Sequence, residues 1–267
     1  MTLIKICGIT NIEDAIECVS LGAHMLGFVF ADSPRQADVD TVRHICRIIG
    51  GDARTVGVFT DESEDVISIV NDCHLSHAQL HGGQSEDFAR RLSSDRVIRV
   101  ARVGQQGQTD SSQPKKPLAL SRPDETGPYR SAVEERPSFD TPLSALRQAQ
   151  DAQRLLRTSG VYGANNVDCL ATDFPTAAYY LLDTYKKGVA GGTGEVFDWE
   201  LAVRAKSMGK PVILSGGLSP DNVAEAIRAV RPFAVDVSSG VEASPGKKDL
   251  NKVKEFIANV RNADNRA

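Results

Sequence analysis

With 267 residues, 41% of them hydrophobic, the chain suits one large domain or two small ones, and α/β barrels of this length commonly form a single domain. Its formal net charge of −4 gives no general attraction to nucleic acid or to anionic membranes. The five cysteines form no CxxC pair, which argues against a disulfide framework and against a zinc site. We find no signal peptide and no apolar run of about 20 residues, so we expect a cytoplasmic protein without a membrane partner.

Short apolar runs alternate with segments of helical period along most of the chain. Alternation of this kind is typical of parallel strands that are covered by helices. Eight such units favour an α/β fold of the (β/α)8 TIM-barrel class over an open doubly wound sheet, which is the main alternative. The predicted strands are Leu3–Ile9, His24–Phe30, Thr55–Phe59, Ala78–His81, Val97–Val103, Ala178–Asp183, Val212–Leu214 and Phe233–Val237.

One stretch departs from this alternation. Residues 104–142 are rich in Ser, Gln and charge, and they hold six of the twelve prolines of the chain. Prolines at this density exclude a helix or a central strand. We therefore predict a single barrel domain over residues 1–267, with a long, mobile and irregular insertion over 104–142 between strands five and six. A second irregular segment is predicted over Ser159–Pro175.

The candidate catalytic residues stand where predicted strands end, and in such barrels the active site lies at the carboxyl ends of the strands. Cys7 follows strand one and Asp183 ends strand six, and a thiol and a carboxylate on one rim indicate acid–base chemistry. Lys5 shares a strand face with Cys7, where its ammonium would favour the thiolate. Two alternatives stay open, an inert buried thiol at Cys7 and a salt bridge or helix cap at Asp183.

Glycine-rich loops follow strands seven and eight, where barrels commonly bind phosphate through backbone N–H groups. This position predicts a small phosphorylated substrate. Arg35 carries a planar guanidinium that suits a carboxylate or a phosphate, with a solvated surface residue as the alternative. His81 is either a substrate contact or a polar cap on strand four, and we expect Lys247 and Lys248 to be a solvated surface pair. The predicted substrate-binding residues are Arg35, His81, Gly216, Gly217, Asp236, Ser238, Ser239 and Gly240.

At these residues the chain resembles the phosphoribosylanthranilate isomerases, which are barrel enzymes of tryptophan biosynthesis. The resemblance covers the chain except for about residues 104–177, and the order and spacing of its motifs make it specific. The motifs are KICGIT (5–10), GFVFADSPR (27–35), VGVF (56–59), QLHG (79–82), LLD (181–183), GGTGEVFDW (191–199), LSGGLSPDNV (214–223), VDVSSGVE (235–242) and PGKKD (245–249).

The resemblance implies an Amadori rearrangement of N-(5′-phosphoribosyl)anthranilate, with no metal and no organic cofactor. It implies that Cys7 is the general base, that Asp183 is the general acid and that Arg35 binds the anthranilate carboxylate. The phosphate is expected at the backbone of the two glycine-rich loops. We also consider an association with neighbouring enzymes of the tryptophan pathway.

Two other interpretations stay open. The histidine-pathway isomerase family performs the same rearrangement on a larger substrate with two phosphates, but it is expected to carry Asp where Cys7 stands. A side activity on that substrate is left open. The other interpretation is a barrel that has lost catalysis and binds a phosphorylated ligand, and the presence of both Cys7 and Asp183 argues against it.

Overall fold

The computed structural model describes residues 1–104, 161–163, 170–184 and 199–265, and within these ranges eight parallel strands form a closed barrel. The strands follow one another around the barrel in the order β4-β3-β2-β1-β9-β8-β7-β5, and β4 pairs with β5 to close it. The predicted (β/α)8 barrel is therefore confirmed. The strands are β1 (Leu3–Cys7), β2 (Met25–Val29), β3 (Arg54–Phe59), β4 (His77–Leu80), β5 (Val97–Gly104), β6 (Val161–Gly163), β7 (Tyr179–Thr184), β8 (Val212–Leu214) and β9 (Ala234–Val237).

Helices follow most strands and begin where the sequence offers a capping side chain. The Asn11 side chain accepts a hydrogen bond from the backbone N–H of Asp14 at the start of α1, and Asp38, Ser85 and Asp249 cap later helices in the same way. Among the helices described, none combines the length and apolar character that a bilayer crossing requires. The helices are α1 (Ile12–Leu21), α2 (Val39–Ile49), α3 (Glu64–Asp72), α4 (Glu86–Arg91), α5 (Leu170–Asp173), α6 (Trp199–Lys206), α7 (Val223–Val230) and α8 (Leu250–Asp264).

Strand side chains alternate between two apolar layers. Those that point outwards, such as Ile4, Ile6 and Leu26, pack with the helices in the larger core cluster. Those that point inwards fill the barrel and form a separate cluster. Apolar side chains fill the middle of the barrel, so the room for a ligand lies at its carboxyl-terminal end. The inner cluster consists of Met25, Val56, Ile98, Val100, Leu181, Ile213 and Ala234.

The structure differs from the prediction at two places. The segment Ser159–Pro175, predicted as irregular, contains β6 and α5. β5 extends past the end of β4, and its residues 102–104 pair with β6 along the edge that β4 leaves free. The second difference is a hairpin after β9, formed by β10 (Glu242–Ser244) and β11 (Lys247–Lys248). Of the predicted insertion, residues 105–142 lie outside the described residues.

Candidate active site

Lys5 and Cys7 both point into the barrel at its carboxyl-terminal end. The neighbouring strand β2 has Gly27 opposite Cys7. A Cβ atom built on Gly27 would lie 2.7 Å from Cys7 Sγ and 3.0 Å from Lys5 Nζ, closer than a side chain can approach. The absence of a side chain at Gly27 therefore makes the room in which the thiol and the ammonium sit next to each other.

A buried ion pair between Lys5 and Asp236 lies next to the thiol. Lys5 Nζ donates to Asp236 Oδ1 at 2.9 Å, and Ser215 Oγ donates to Asp236 Oδ2 at 2.9 Å. Burial alone would lower the pKa of Lys5, but the Asp236 carboxylate and, after it, Cys7 raise that pKa above its usual range. Both carboxylate oxygens of Asp236 thus have a protein donor, so the residue predicted to bind substrate also holds Lys5 in place.

The ionisation of Cys7 depends on opposing influences from burial, from Lys5 and from Asp236. Burial raises the pKa of the Cys7 thiol, while the Lys5 ammonium lowers it. Asp236 raises the pKa further, because a second negative charge next to its carboxylate is unfavourable. The predicted effect of Lys5 on the thiol therefore has the expected sign, but burial outweighs it and the net shift is upwards.

Arg35 lies beside the β1 end and is held by a carboxylate. Glu242 Oε1 accepts from Arg35 Nε and Oε2 accepts from Nη2, both at 2.8 Å, in a bidentate pair. The Arg35 side chain passes over Gly8, where a Cβ atom would lie 2.9 Å from Arg35 Cδ and 3.1 Å from Ser238 Oγ. Arg35, Ser238 and Cys7 are therefore neighbours at one side of the barrel mouth.

Lys248 is buried in this cluster, and the prediction that it belongs to a solvated pair is wrong. Its Nζ donates to the carbonyl oxygen of Cys7 at 2.6 Å, to Glu242 Oε1 at 3.0 Å and to the carbonyl oxygen of Ser238 at 3.4 Å. Lys247 is exposed as predicted. The side chains of the two lysines point in opposite directions because they are neighbours on one strand of the hairpin.

Glu242 is consequently charged inside the protein. Burial alone would raise the pKa of Glu242, but the hydrogen bonds from Arg35 and Lys248 hold it below its usual range. Sequence reasoning missed both Glu242 and Lys248 as site residues. The sequence signal for both residues was the turn Pro245-Gly246 between them. A hairpin at this turn places the opposite charges of Glu242 and Lys248 on facing strands.

The two glycine-rich loops lie against each other. Gly216 and Gly217 have φ values of 87° and 65°, in the left-handed region that favours glycine. The side chain of Asn222 donates to the carbonyl oxygen of Gly217 at 2.9 Å and fixes this loop. A Cβ atom at Gly240 would lie 2.0 Å from the carbonyl oxygen of Leu218, so only glycine permits the contact between the loops. Ser239 opens the short 3-10 helix that contains Gly240.

His81 and Asp183 meet on another part of the rim. His81 Nε2 lies 3.7 Å from Asp183 Oδ2, and their side chains are 23% and 27% exposed. Asp183 follows Leu181 on the inward face of β7, and His81 follows Gln79 in the same way beyond β4. The carboxyl group of Asp183 is therefore accessible from the barrel mouth, with an imidazole beside it.

Parts of the predicted site lie outside the described residues, notably the segment 191–198 of the GGTGEVFDW motif. Gln79 is the first residue of the QLHG motif. It is buried inside the barrel, and its Oε1 atom has no hydrogen-bond partner among the described residues. Within the same residues, no group of three or more His, Cys, Asp or Glu side chains is arranged to hold a metal ion.

A thiol, a carboxyl group and paired glycine loops on the rim of a (β/α)8 barrel agree with one known family. The family model described as N-(5′-phosphoribosyl)anthranilate (PRA) isomerase matches residues 4–118 and 147–259. The chain belongs to this family. The two matched segments leave residues 119–146 unmatched, a range that overlaps the insertion predicted over 104–142.

Individual members of the family match over nearly the whole chain. The N-(5′-phosphoribosyl)anthranilate isomerase of Trichlorobacter lovleyi is 37% identical over 265 residues, which are 98% of this chain and all of the relative. The solved phosphoribosyl anthranilate isomerase from Thermotoga maritima superposes with a TM-score of 0.65 at 31% identity, over 98% of this chain and all of the other. The predictions of this family and of an isomerase are confirmed by these matches.

A further solved structure of a family member contains a small molecule. It is a phosphoribosyl anthranilate isomerase in complex with reduced 1-(o-carboxyphenylamino)-1-deoxyribulose 5-phosphate. This structure is 31% identical to the chain, with a TM-score of 0.63, and the match covers 98% of this chain and all of the other. The bound molecule carries both a phosphate and an aromatic carboxylate.

Proposed function

We propose that the chain converts N-(5′-phosphoribosyl)anthranilate into 1-(2-carboxyphenylamino)-1-deoxyribulose 5-phosphate, a step of tryptophan biosynthesis. The observation that carries the proposal is the placement of the Cys7 thiol beside the Lys5 ammonium at the barrel mouth, with Asp183 on the same rim. Family membership supports the same reaction, because the relatives bear the name of this isomerase.

The reaction needs one proton donor and one proton acceptor. In the proposed mechanism, the Asp183 carboxyl group gives its proton to the furanose ring oxygen. The C1′–O4′ bond breaks with its electron pair on that oxygen, and the anilino nitrogen forms a double bond to C1′. Each well-placed proton transfer of this kind contributes roughly 10²–10⁴ in rate.

The second step moves the double bond. The Cys7 thiolate removes the proton from C2′, the C–H electron pair forms a C1′=C2′ double bond, and the iminium nitrogen becomes neutral. The resulting enol then tautomerises: its O2′ proton is lost and C1′ gains one, so the product is an isomer of the substrate. Burial raises the pKa of Cys7, and the Lys5 ammonium opposes this shift and favours the thiolate form.

Substrate binding is proposed at three places on the rim. The anthranilate carboxylate binds the Arg35 guanidinium, and the phosphate binds the backbone of the loops that contain Gly216, Gly217, Ser239 and Gly240. The positive φ values of Gly216 and Gly217 and the contact of Gly240 with Leu218 support this, since these glycines bring backbone without side chains to the rim. Ser238 and His81 are proposed as further substrate contacts.

Two wider expectations accompany this proposal. A biosynthetic isomerase of this family is expected to work in the cytoplasm on a small phosphorylated substrate. An association with neighbouring tryptophan-pathway enzymes stays a prediction.

The proposed function is tested by the loss of anthranilate-type fluorescence when purified protein meets freshly prepared phosphoribosylanthranilate. We expect fast loss with the wild type and near-background rates with Cys7→Ser and Asp183→Asn. Cys46→Ser is the matched control, because Cys46 lies on α2 and not on the rim, and we expect it to act like the wild type. A folded wild type that leaves the fluorescence unchanged would refute the proposal and favour a binding protein.

A further inference from the structure

We propose that Glu242 and Lys248 are positioning residues that make the site selective for substrates with an aromatic carboxylate. Glu242 fixes the orientation of Arg35, and Lys248 keeps the cluster of Arg35, Glu242 and Lys248 (the rim ion cluster) net positive. The inference rests on the proposed function in one respect, namely that Arg35 receives the substrate carboxylate.

The pair between Arg35 and Glu242 leaves one side of the guanidinium available. Glu242 occupies the edge formed by Nε and Nη2. The second edge, formed by Nη1 and Nη2, has the geometry that matches a second carboxylate, and within the described residues Nη1 makes no hydrogen bond. The Arg35 side chain is 26% exposed while that of Glu242 is 5% exposed, so an incoming ligand reaches the arginine and not the glutamate.

Orientation matters here because a free arginine side chain is long and flexible. An unsupported Arg35 would lose much of its rotamer freedom each time it bound a ligand, and that loss would weaken binding. The bidentate pair with a buried carboxylate removes this freedom before the ligand arrives. Glu242 is itself held, because it also accepts from Lys248 Nζ at 3.0 Å and from the backbone N–H of Gly246 at 3.4 Å.

The charge of the cluster depends on Lys248. Arg35 and Glu242 alone would be neutral as a pair and would attract a carboxylate only weakly. The fully buried Lys248 side chain supplies the second positive charge, and the cluster of three then has a net charge of +1. In a partly buried site this charge favours an anionic group on the ligand, because screening by water is reduced.

The same lysine links the cluster to the thiol. Lys248 Nζ donates to the carbonyl oxygen of Cys7 at 2.6 Å, and its backbone N–H donates to Asp14 Oδ2 at 2.8 Å. Arg35 also packs over Gly8, the residue that follows Cys7. The position of the carboxylate-binding edge is therefore set relative to the β1 end that carries Cys7.

The inference is tested by binding of two probes that differ in one group. The first probe is reduced 1-(o-carboxyphenylamino)-1-deoxyribulose 5-phosphate, and the second is the same compound without its carboxyl group. Calorimetric titration of both with each variant gives a preference ratio, the dissociation constant of the second probe divided by that of the first. We expect a ratio of about 10 to 100 for the wild type, since hydrogen bonds to charged groups are the stronger ones.

The first variant is Glu242→Gln, whose amide cannot accept from both Nε and Nη2 of Arg35 in the way that the carboxylate does. The second is Lys248→Met, which removes the second positive charge. We expect each to lower the ratio by about tenfold or more while the affinity for the second probe changes by less than about threefold. Glu64→Gln is the control, because both carboxylate oxygens of Glu64 accept from Arg91 Nη2 in an ion pair on the exposed surface. We expect it to leave the ratio unchanged.

Three results would overturn the inference. The first is a wild type that does not prefer the probe with the carboxyl group, and the second is variants that keep this preference. The third is variants that lose affinity for both probes equally. The last result would show a general structural role. Circular dichroism identifies variants that do not fold, and Arg35→Lys then replaces them, since it keeps the charge but lacks the two-nitrogen edge. It is expected to lower the ratio like Glu242→Gln, and an unchanged ratio would overturn the inference.

Turnover separates this inference from the proposed function. If the wild type binds the probes with the expected preference but does not convert phosphoribosylanthranilate, the proposed function is refuted while the inference about Glu242 and Lys248 is supported. If the wild type is active, Glu242→Gln is expected to raise KM about tenfold or more with a kcat change below about threefold, because it removes binding and not a proton-transfer group. A fall in kcat alone would contradict the inference.

Discussion

Lys5 Nζ lies 2.9 Å from Asp236 Oδ1 inside the barrel, next to the Cys7 thiol. The Lys5 ammonium therefore interacts with two groups, the Asp236 carboxylate and the Cys7 thiol. Asp236 holds Lys5 in place but also raises the pKa of Cys7, whereas Lys5 lowers it. Besides burial, which is the largest influence, the ionisation of the proposed base thus depends on both residues and not on the ammonium alone.

The two members of this pair are predicted to act on the thiol in opposite directions. Lys5→Met should raise the pKa of Cys7 and Asp236→Asn should lower it, because the first removes a positive charge and the second a negative one. The measurement is the rate of Cys7 alkylation by iodoacetamide against pH, followed on the Cys7 peptide by mass spectrometry. An unchanged pKa in Lys5→Met would refute the role of the ammonium.

The same pair should be strongly coupled in stability. Lys5→Met leaves the Asp236 carboxylate buried without its partner, which commonly costs about 3–5 kcal/mol of the free energy of unfolding. The double variant Lys5→Met/Asp236→Asn buries no uncompensated charge and should be more stable than Lys5→Met alone. Urea denaturation of the wild type, both single variants and the double variant measures this. If the two single effects simply add, the pair is not coupled.

Gly27 is predicted to be essential for the arrangement of the thiol. In Gly27→Ala the new Cβ atom would lie 2.7 Å from Cys7 Sγ, so the thiol or the backbone must move. Overpacking of this kind costs about 1–3 kcal/mol, and we expect kcat/KM to fall about tenfold or more. Gly51→Ala is the matched control, since a Cβ atom there meets no atom within 4 Å. Equal activity of the two variants would contradict the prediction.

His77 is predicted to make the protein less stable in mild acid. It lies at the amino-terminal end of the barrel interior, is 8% exposed, and its Nδ1 atom has no hydrogen-bond partner among the described residues. Burial, followed by the nearby Arg54 and Arg96, lowers the pKa of His77 to about 4. The unfolded chain, with a pKa near ~6.5 at this position, binds a proton more readily than the folded protein.

The free energy of unfolding should therefore fall as the pH falls from about 6.5 to about 4, with at most roughly 3 kcal/mol from this one group. The measurement is urea denaturation at several pH values. His77→Asn should reduce the loss of stability over this interval, and His44→Gln, at an exposed position on α2, is the matched control. The prediction fails if the wild type and His77→Asn lose the same stability over the interval.

Most of the barrel could be predicted from the sequence, because its signals are local. The strands ending at Cys7, Phe59 and Leu214 are short apolar runs, and Asn11 and Ser85 mark helix starts with capping side chains. Such patterns depend on a few neighbouring residues. β6 was missed because it has only three residues and pairs with residues 102–104 of β5, which are far away in the sequence.

The alternation of eight strands with helices, the family resemblance and the positions of Cys7, Arg35 and Asp183 after predicted strands can be inferred from the sequence. Which side chains meet at the barrel mouth depends on how distant parts of the chain pack together. Lys248 donates to the carbonyl oxygen of Cys7, which is 241 positions away in the sequence, whereas its neighbour Lys247 is exposed. The difference comes from desolvation, since a buried ammonium is stable only where distant parts of the chain supply its acceptors.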